Sequence, residues 1–401
     1  MKKHTREELI EKSKIPSKNA LKMHPFYRGK VQVMPRCQIR DYDDFGIWYS
    51  PGVAAASEEI KKDPSKVYDY TSKWNYVAVV SDGSRVLGLG NIGPEASLPV
   101  MEGKALLFKY LGGVDAFPLC IGPDLTPDEF INFVKTIQPT FGGINLEDIS
   151  KPKCFTILDA LRQDPEVRIP VWHDDQQGTA SVTLAGLINA LKIIGKKKQD
   201  VRIVFNGIGA SNFAISRLLG EYGFNLGKAI FVDSKGILQE GRPDLVDSDG
   251  YKREIAEKSN PDGLQGDCGV ALKDADVLIS LSIPGPGVIK KEWISHMADD
   301  AIVFACANPV PEIFPWDAKE AGARIVATGR SDFPNQVNNS LGFPGIFRGT
   351  LDVRARTITD EMCIAAAREL AEEVNDTEEG LTEDNILPTM SDETIFIREA
   401  V

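Results

Sequence analysis

The side chains best suited to chemistry in this sequence are four acids and a lysine. Glu147 and Asp148 end an apolar run over 141–149, and Asp174 and Asp175 follow another over 169–172. Carboxylates at two strand ends supply oxygen-only ligands with room for water and substrate. That donor set suits Mg²⁺ or Mn²⁺ rather than zinc, and Glu147, Asp148 and Asp175 are the candidate ligands. Neighbours on a straight strand face opposite ways, so Glu147 and Asp148 can share an ion only where the backbone turns. The ordinary reading stands beside this one, because an Asp ahead of a helix is more often an N-cap than a ligand. His173, beside the second pair, is expected to pack or support rather than to ligate.

Lys104 stands at the start of a helical pattern over 99–110. In a first turn it opposes the helix dipole and its pKa falls on burial, as a general base requires. Most helix lysines are simply solvated, which is the competing expectation. Tyr49 is fixed by Ser50-Pro51-Gly52 at the entry to a helix, a rigid setting that equally suits a core tyrosine with a satisfied hydroxyl.

Residues 201–219, VRIVFNGIGASNFAISRLL, read as strand, glycine turn and helix. Gly207, Gly209, Ala210, Ser211 and Asn212 form a dinucleotide fingerprint with Asn212 in the place of a third small residue. The phosphates would rest on the helix N-terminus. A second strand over 229–232 ends at Asp233, where an acid can hold the adenosine ribose. That position points to NAD, while Ser234 and Lys235 behind it leave NADP open. Asn308 and Asn338 follow strands over 301–305 and 324–328, where a doubly wound sheet meets its ligand; turn chemistry is the plainer role for each.

The elements that must position these residues follow from periodicity. A strand over 76–80 leads into the glycine-rich loop 81–96, which carries Arg85. A strand over 117–122 and a helix over 127–137 come next, and the helical stretch from Thr179 has its C-cap at Gly195. The fold class is α/β. An N-terminal α/β catalytic unit (1–195) precedes a Rossmann-like doubly wound dinucleotide unit (196–338), and a helical C-terminal segment (339–401) packs back on the first.

Composition narrows the partners. A net charge of −12 over 401 residues argues against nucleic acid or an anionic membrane. No apolar run approaches ~20 residues, and the N-terminus has no apolar targeting core. Six cysteines without C-x-x-C spacing suit reduced thiols and a cytoplasmic setting.

Eight segments in order, YSPGVA, DGSRVLGLGNIG, MEGK, NLEDI, HDDQQGTA, GIGASN, ANPVPE and QVNNSLGFPGIFRG, resemble the malic enzyme family in its short form. The resemblance runs from Tyr49 to Asp352. It implies oxidative decarboxylation of malate to pyruvate and CO₂ with NAD or NADP and a divalent metal, in a homodimer. It also implies Glu147, Asp148 and Asp175 as metal ligands, Lys104 as base, Tyr49 as acid and Asp174 as an orienting neighbour. Arg85, Asn308 and Asn338 fall where the family touches substrate carboxylate or nicotinamide. Ser50 and Asn212 depart from the family pattern, and an acyltransferase-like extension is not expected. A metal-dependent β-keto acid decarboxylase without redox turnover is the alternative.

Overall fold

The computed structural model describes residues 6–122, 124–245, 250–392 and 394–401, with side chains from Lys14 onward. Among the described residues ten strands fall into two sheets. The first contains β1 (Tyr76–Ser81), β2 (Asp115–Cys120), β3 (Gly143–Leu146) and β4 (Val171–His173), in the order β2-β1-β3-β4 and all parallel. The second contains β5 (Ile203–Asn206), β6 (Ile230–Asp233), β7 (Gly236–Ile237), β8 (Val277–Ser280), β9 (Ile302–Ala305) and β10 (Ile325–Thr328). Its order is β10-β9-β8-β5-β6-β7, parallel except for the short β7.

Parallel strands covered on both faces read as continuous apolar runs. In the second sheet Ile203 and Phe205 point into one core, and Val204, Ile230 and Val232 into another. Each sheet also reverses its winding direction once, at β1–β3 in the first and at β5–β8 in the second. Such switch points open a crevice at the carboxyl ends of the strands.

One helix holds the two sheets together. Thr179–Ile194 is buried on nearly every side, and Gly195 ends it in the left-handed conformation. Leu184 and Leu187 share a single core with Val77 and Val79 of the first sheet and with Ile203 and Phe205 of the second. Losing a leucine there costs about 2–5 kcal/mol and loosens both sheets together.

The C-terminal helices return across this junction. Phe343 and Phe347, in the helix Phe343–Asp352, pack against Phe108 of the helix Gly93–Gly112, with ring centroids 4.6 and 5.1 Å apart. Arg348 donates to Asn75 across 2.6 Å, and Asn189 Nδ2 reaches the carbonyls of Ala371 and Ile386.

Lys104 is placed differently from the sequence expectation. Its helix begins at Gly93, not near Pro99, so Lys104 lies mid-helix, where the terminal dipole has faded. Pro99 sits inside the helix, and reading it as a start signal misplaced the N-terminus.

Candidate active site

Both sheets aim their carboxyl ends at one cavity of about 310 Å³. From the first sheet come Arg85 after β1, Glu147 and Asp148 after β3, and Asp175 after β4. From the second come Gly209, Ala210 and Ser211 after β5, Ser282 after β8, Asn308 after β9 and Asn338 after β10. Lys104 completes the wall between the two sets.

Lys104 is the electrostatic centre. Its Nζ lies 2.5 Å from Asp174 Oδ2 and 3.0 Å from Glu147 Oε1, and 4.4 Å from the centre of the Phe343 ring. Burial pulls the ammonium towards neutrality, but the Asp174 and Glu147 carboxylates outweigh it and raise its pKa above the ordinary lysine value. The lowering expected from a helix N-terminus does not occur, because the nearest charges are carboxylates. Asp174 is fully buried and accepts from Trp172 Nε1 at 3.1 Å. It makes no N-cap bond; the residues Asp174–Gly178 form a wide helical turn leading into the long helix. A Cβ at Gly178 would stand 1.9 Å from Asp174 Oδ1, so only glycine leaves that carboxylate its place.

The three proposed metal ligands share one wall. Asp148 has a φ of +54°, a left-handed turn that a non-glycine residue rarely adopts, and it bends the chain just beyond β3. Asp175 Oδ2 accepts the Asp148 backbone amide at 2.8 Å, and Asp148 Oδ2 is buried without a hydrogen-bond partner. Burial, and then the Asp175 charge, push Asp148 up to about 8. Glu147 is raised by burial against the pull of Lys104. Among the described residues no three acidic, histidine or cysteine side chains already converge closely enough to hold an ion. The acids are neighbours whose oxygens now face Lys104, Asn145 and an amide. His173 is buried, and its Nδ1 lies 3.7 Å from Asp175 Oδ2.

The glycine turn is built as its residue types require. Gly207 has a φ of +89°, and a Cβ there would lie 2.5 Å from the Leu281 carbonyl. Asn212 does not face the cavity. It is buried, and its Nδ2 donates to the carbonyls of Asn206 and Gly207 at 3.1 and 2.7 Å, tying the turn to its own helix. Asn338 lines the cavity and also fulfils the plainer turn role, accepting the Ser340 amide at 2.9 Å. Asp233 lies outside the cavity wall, beside the turn, since the Gly207 amide donates to Val232.

Tyr49 is not brought to this cavity by its own chain. It follows the short helix Asp44–Trp48 and is 75% exposed. Its rigid turn is present, but neither the core packing nor the contact with Lys104 is.

Two residues escaped the sequence reading. Glu312 is fully buried and accepts from Ser280 Oγ, the Ser282 amide and the Ala307 amide at 2.7, 2.9 and 3.0 Å, which fixes two cofactor-side loops. An acid closing the apolar segment ANPVPE was the available signal. Trp172 anchors Asp174, and its place two residues before that acid was the hint.

Comparison with known proteins resolves the family. Residues 176–398 match the family model described as malic enzyme, NAD binding domain, and residues 28–125 and 122–162 match malic enzyme, N-terminal domain. The chain belongs to the malic enzyme family. It is 50% identical over 376 residues to the bifunctional malic/malolactic enzyme of Bacillus subtilis (strain 168), covering 94% of this chain and 89% of that one. To the NAD-dependent malic enzyme of Geobacillus stearothermophilus it is 49% identical over 375 residues, covering 93% and 76%. The crystal structure of Entamoeba histolytica malic enzyme superposes with a TM-score of 0.94 at 51% identity, covering all of this chain and 83% of that one. The malic enzyme from Pyrococcus horikoshii Ot3 does so at 0.89 and 54% identity, covering 96% and 88%. In this member of the family Lys104, Glu147, Asp148 and Asp175 lie in the wall of the cavity between the two sheets.

Proposed function

We infer that this chain oxidatively decarboxylates malate to pyruvate and CO₂ while reducing NAD(P)⁺. The observation that carries the reading is one cavity whose wall joins Lys104, paired with Asp174, to the dinucleotide turn. Arg85 and Asn338 would orient the substrate carboxylates, and Asn308 would border the nicotinamide. When bound, the nicotinamide accepts hydride and a divalent cation polarises the keto oxygen.

Lys104 would take the C2 hydroxyl proton. Asp174, 2.5 Å from its Nζ, orients the amine and can receive the proton that Lys104 must first release. Glu147, Asp148 and Asp175 would hold Mg²⁺ or Mn²⁺. The buried Asp148 Oδ2, which has no hydrogen-bond partner, supports this, as do the four carboxylates (147, 148, 174 and 175) gathered beside Lys104.

Tyr49 would return a proton to the enolate carbon, reaching the cavity from a second copy of the chain. From Lys14 to Ser72, Asp44 is the one buried side chain among the described residues, while Phe26, Val33, Met34, Ile47 and Trp48 are all more than half exposed. An apolar surface of that extent on a folded chain is an interface in waiting. A homodimer is the occupant that also brings Tyr49 to Lys104.

The proposed division of labour is 1–195 for substrate and metal, 196–338 for the cofactor and 339–401 as a brace. Among the described residues no helix is long and apolar enough to cross a membrane, and the six cysteines are free, which supports a cytoplasmic site of action. Supplying malate, Mn²⁺ and each cofactor in turn should produce reduced-nicotinamide absorbance together with pyruvate. Pyruvate from oxaloacetate, with no reduction from malate, would favour the decarboxylase without redox turnover.

A further inference from the structure

Glu312 is a buried acid with no cation to balance it. Every hydrogen bond to its carboxylate comes from a donor: Ser280 Oγ, the Ser282 amide and Ser282 Oγ at Oε1, and the Ala307 amide at Oε2. Asn206 Nδ2, at the end of β5, donates to Ser280 Oγ and Ser282 Oγ at 2.9 and 3.1 Å, so both serine protons turn towards Glu312. A carboxyl proton would meet a donor at either oxygen. Burial raises the pKa of the group, and these donors restrain the rise. Among the described residues no lysine, arginine or histidine pairs with it. Burying an unpaired charge costs stability that neutral packing would not, so scaffolding alone does not account for a carboxylate here.

Its place gives the charge a use. Glu312 is absent from the cavity wall, but the main-chain amides that it holds belong to segments that line it, Leu281 and Ser282 after β8 and Cys306, Ala307 and Asn308 after β9. Its own carbonyl accepts the Gly287 and Ile289 amides at 3.1 and 3.2 Å, which fixes the loop between those strands as well. Burial, and then the Glu312 charge, push the Cys306 thiol well above its usual range, so that neighbour stays neutral. The carboxylate therefore stands directly behind the cofactor side of the cavity, where water screens little. A nicotinamide ring is cationic before it accepts hydride and neutral afterwards.

We propose that Glu312 is a positioning residue that favours the oxidised nicotinamide over the reduced one, its carboxylate holding the loops at Ser282 and Ala307 and setting a negative field on the ring they border. The inference rests on the malic-enzyme reading and deepens it. The charge that draws in NAD(P)⁺ also hastens release of NAD(P)H once the hydride has moved, which clears the site for the next turnover.

The test uses the full chain with Mn²⁺ and without malate, in calorimetric titrations of NAD⁺, NADH, NADP⁺ and NADPH. For whichever pair binds, the readout is the Kd of the reduced form divided by that of the oxidised form. Glu312→Gln should lower this ratio by about tenfold. Glu312→Asp and Ser280→Ala, which keep the charge and disturb the loops, should weaken both forms and leave the ratio within about twofold. Should Glu312→Gln fail to fold, the parent decides. It should bind NAD⁺ at least about fivefold more tightly than benzamide adenine dinucleotide, whose ring has the same shape and no charge, or NADP⁺ more tightly than that compound's 2′-phosphate by the same factor. An unchanged ratio in Glu312→Gln, a ratio shifted as far by Ser280→Ala, or a parent indifferent to ring charge overturns the proposal. A parent that binds both nucleotide forms but oxidises no malate sinks the malic-enzyme reading alone, and the ratio still decides the role of Glu312.

Discussion

Lys104 and Asp174 meet across 2.5 Å, joining the middle of the helix Gly93–Gly112 to the turn after β4. The pair is a piece of the core and, in the proposed function, the centre of the proton chemistry, and these roles can be separated. Removing the ammonium leaves Asp174 buried with an uncompensated charge, which costs about 3–5 kcal/mol.

Lys104→Ala should therefore lose both stability and activity, the latter by about 10²–10⁴ in kcat. Adding Asp174→Asn removes the stranded charge. The double variant should regain a large part of the lost Tm while its malate turnover stays at the level of the single variant. Recovery of turnover along with stability would mean that Lys104 acts only as scaffolding.

Metal dependence is read best without catalysis. Mn²⁺ should raise the Tm of the parent chain, because an ion that binds only the folded state stabilises it by mass action. Asp175→Ala and Glu147→Gln should each abolish that rise and require at least about tenfold more Mn²⁺ for turnover. An Mn²⁺-induced rise that survives in both variants would place the ion elsewhere.

Tyr49 offers a subunit test. Tyr49→Phe and Lys104→Ala homodimers should each be nearly inactive. Mixed and re-associated at random, they should recover about a quarter of parental activity, because half of the dimers are hybrids and each hybrid has one intact composite site. Recovery of none places Tyr49 in the cavity of its own chain or outside the chemistry.

The Asp233 cluster sets an acid limit. Burial works to raise this carboxyl, but the bonds from Arg242, Lys252 and the Lys235 amide prevail and hold it at about 2, against 3.8 for an unperturbed group. The unfolded chain therefore binds the proton first as pH falls. The stability that these bonds add is complete above about pH 4 and is lost as the pH drops through 2. Asp233→Asn should lower the Tm by about 2–4 °C at pH 7 and by about half as much near pH 3. An equal deficit at both values would assign the loss to packing instead of charge.

Much of the site was readable from residue types alone, because the forces that specify it are local. Apolar runs ending in acids placed Glu147, Asp148, Asp174 and Asp175 beyond strands, and Gly207 and Gly209 marked a turn that a side chain would obstruct. The sequence therefore determined by itself that the chain is α/β, which strand ends carry acids and where a dinucleotide turn stands. Tertiary structure decided whatever depends on neighbours far along the chain. It set the raised pKa of Lys104, which comes from carboxylates 43 and 70 positions away (147 − 104 and 174 − 104). It turned Asn212 inward to the backbone of its own turn and left Tyr49 on the surface. It filled Asp233 with cations from a later loop and helix. The reason is that local sequence fixes backbone conformation, while the charge state and exposure of a side chain follow from the groups that folding brings against it.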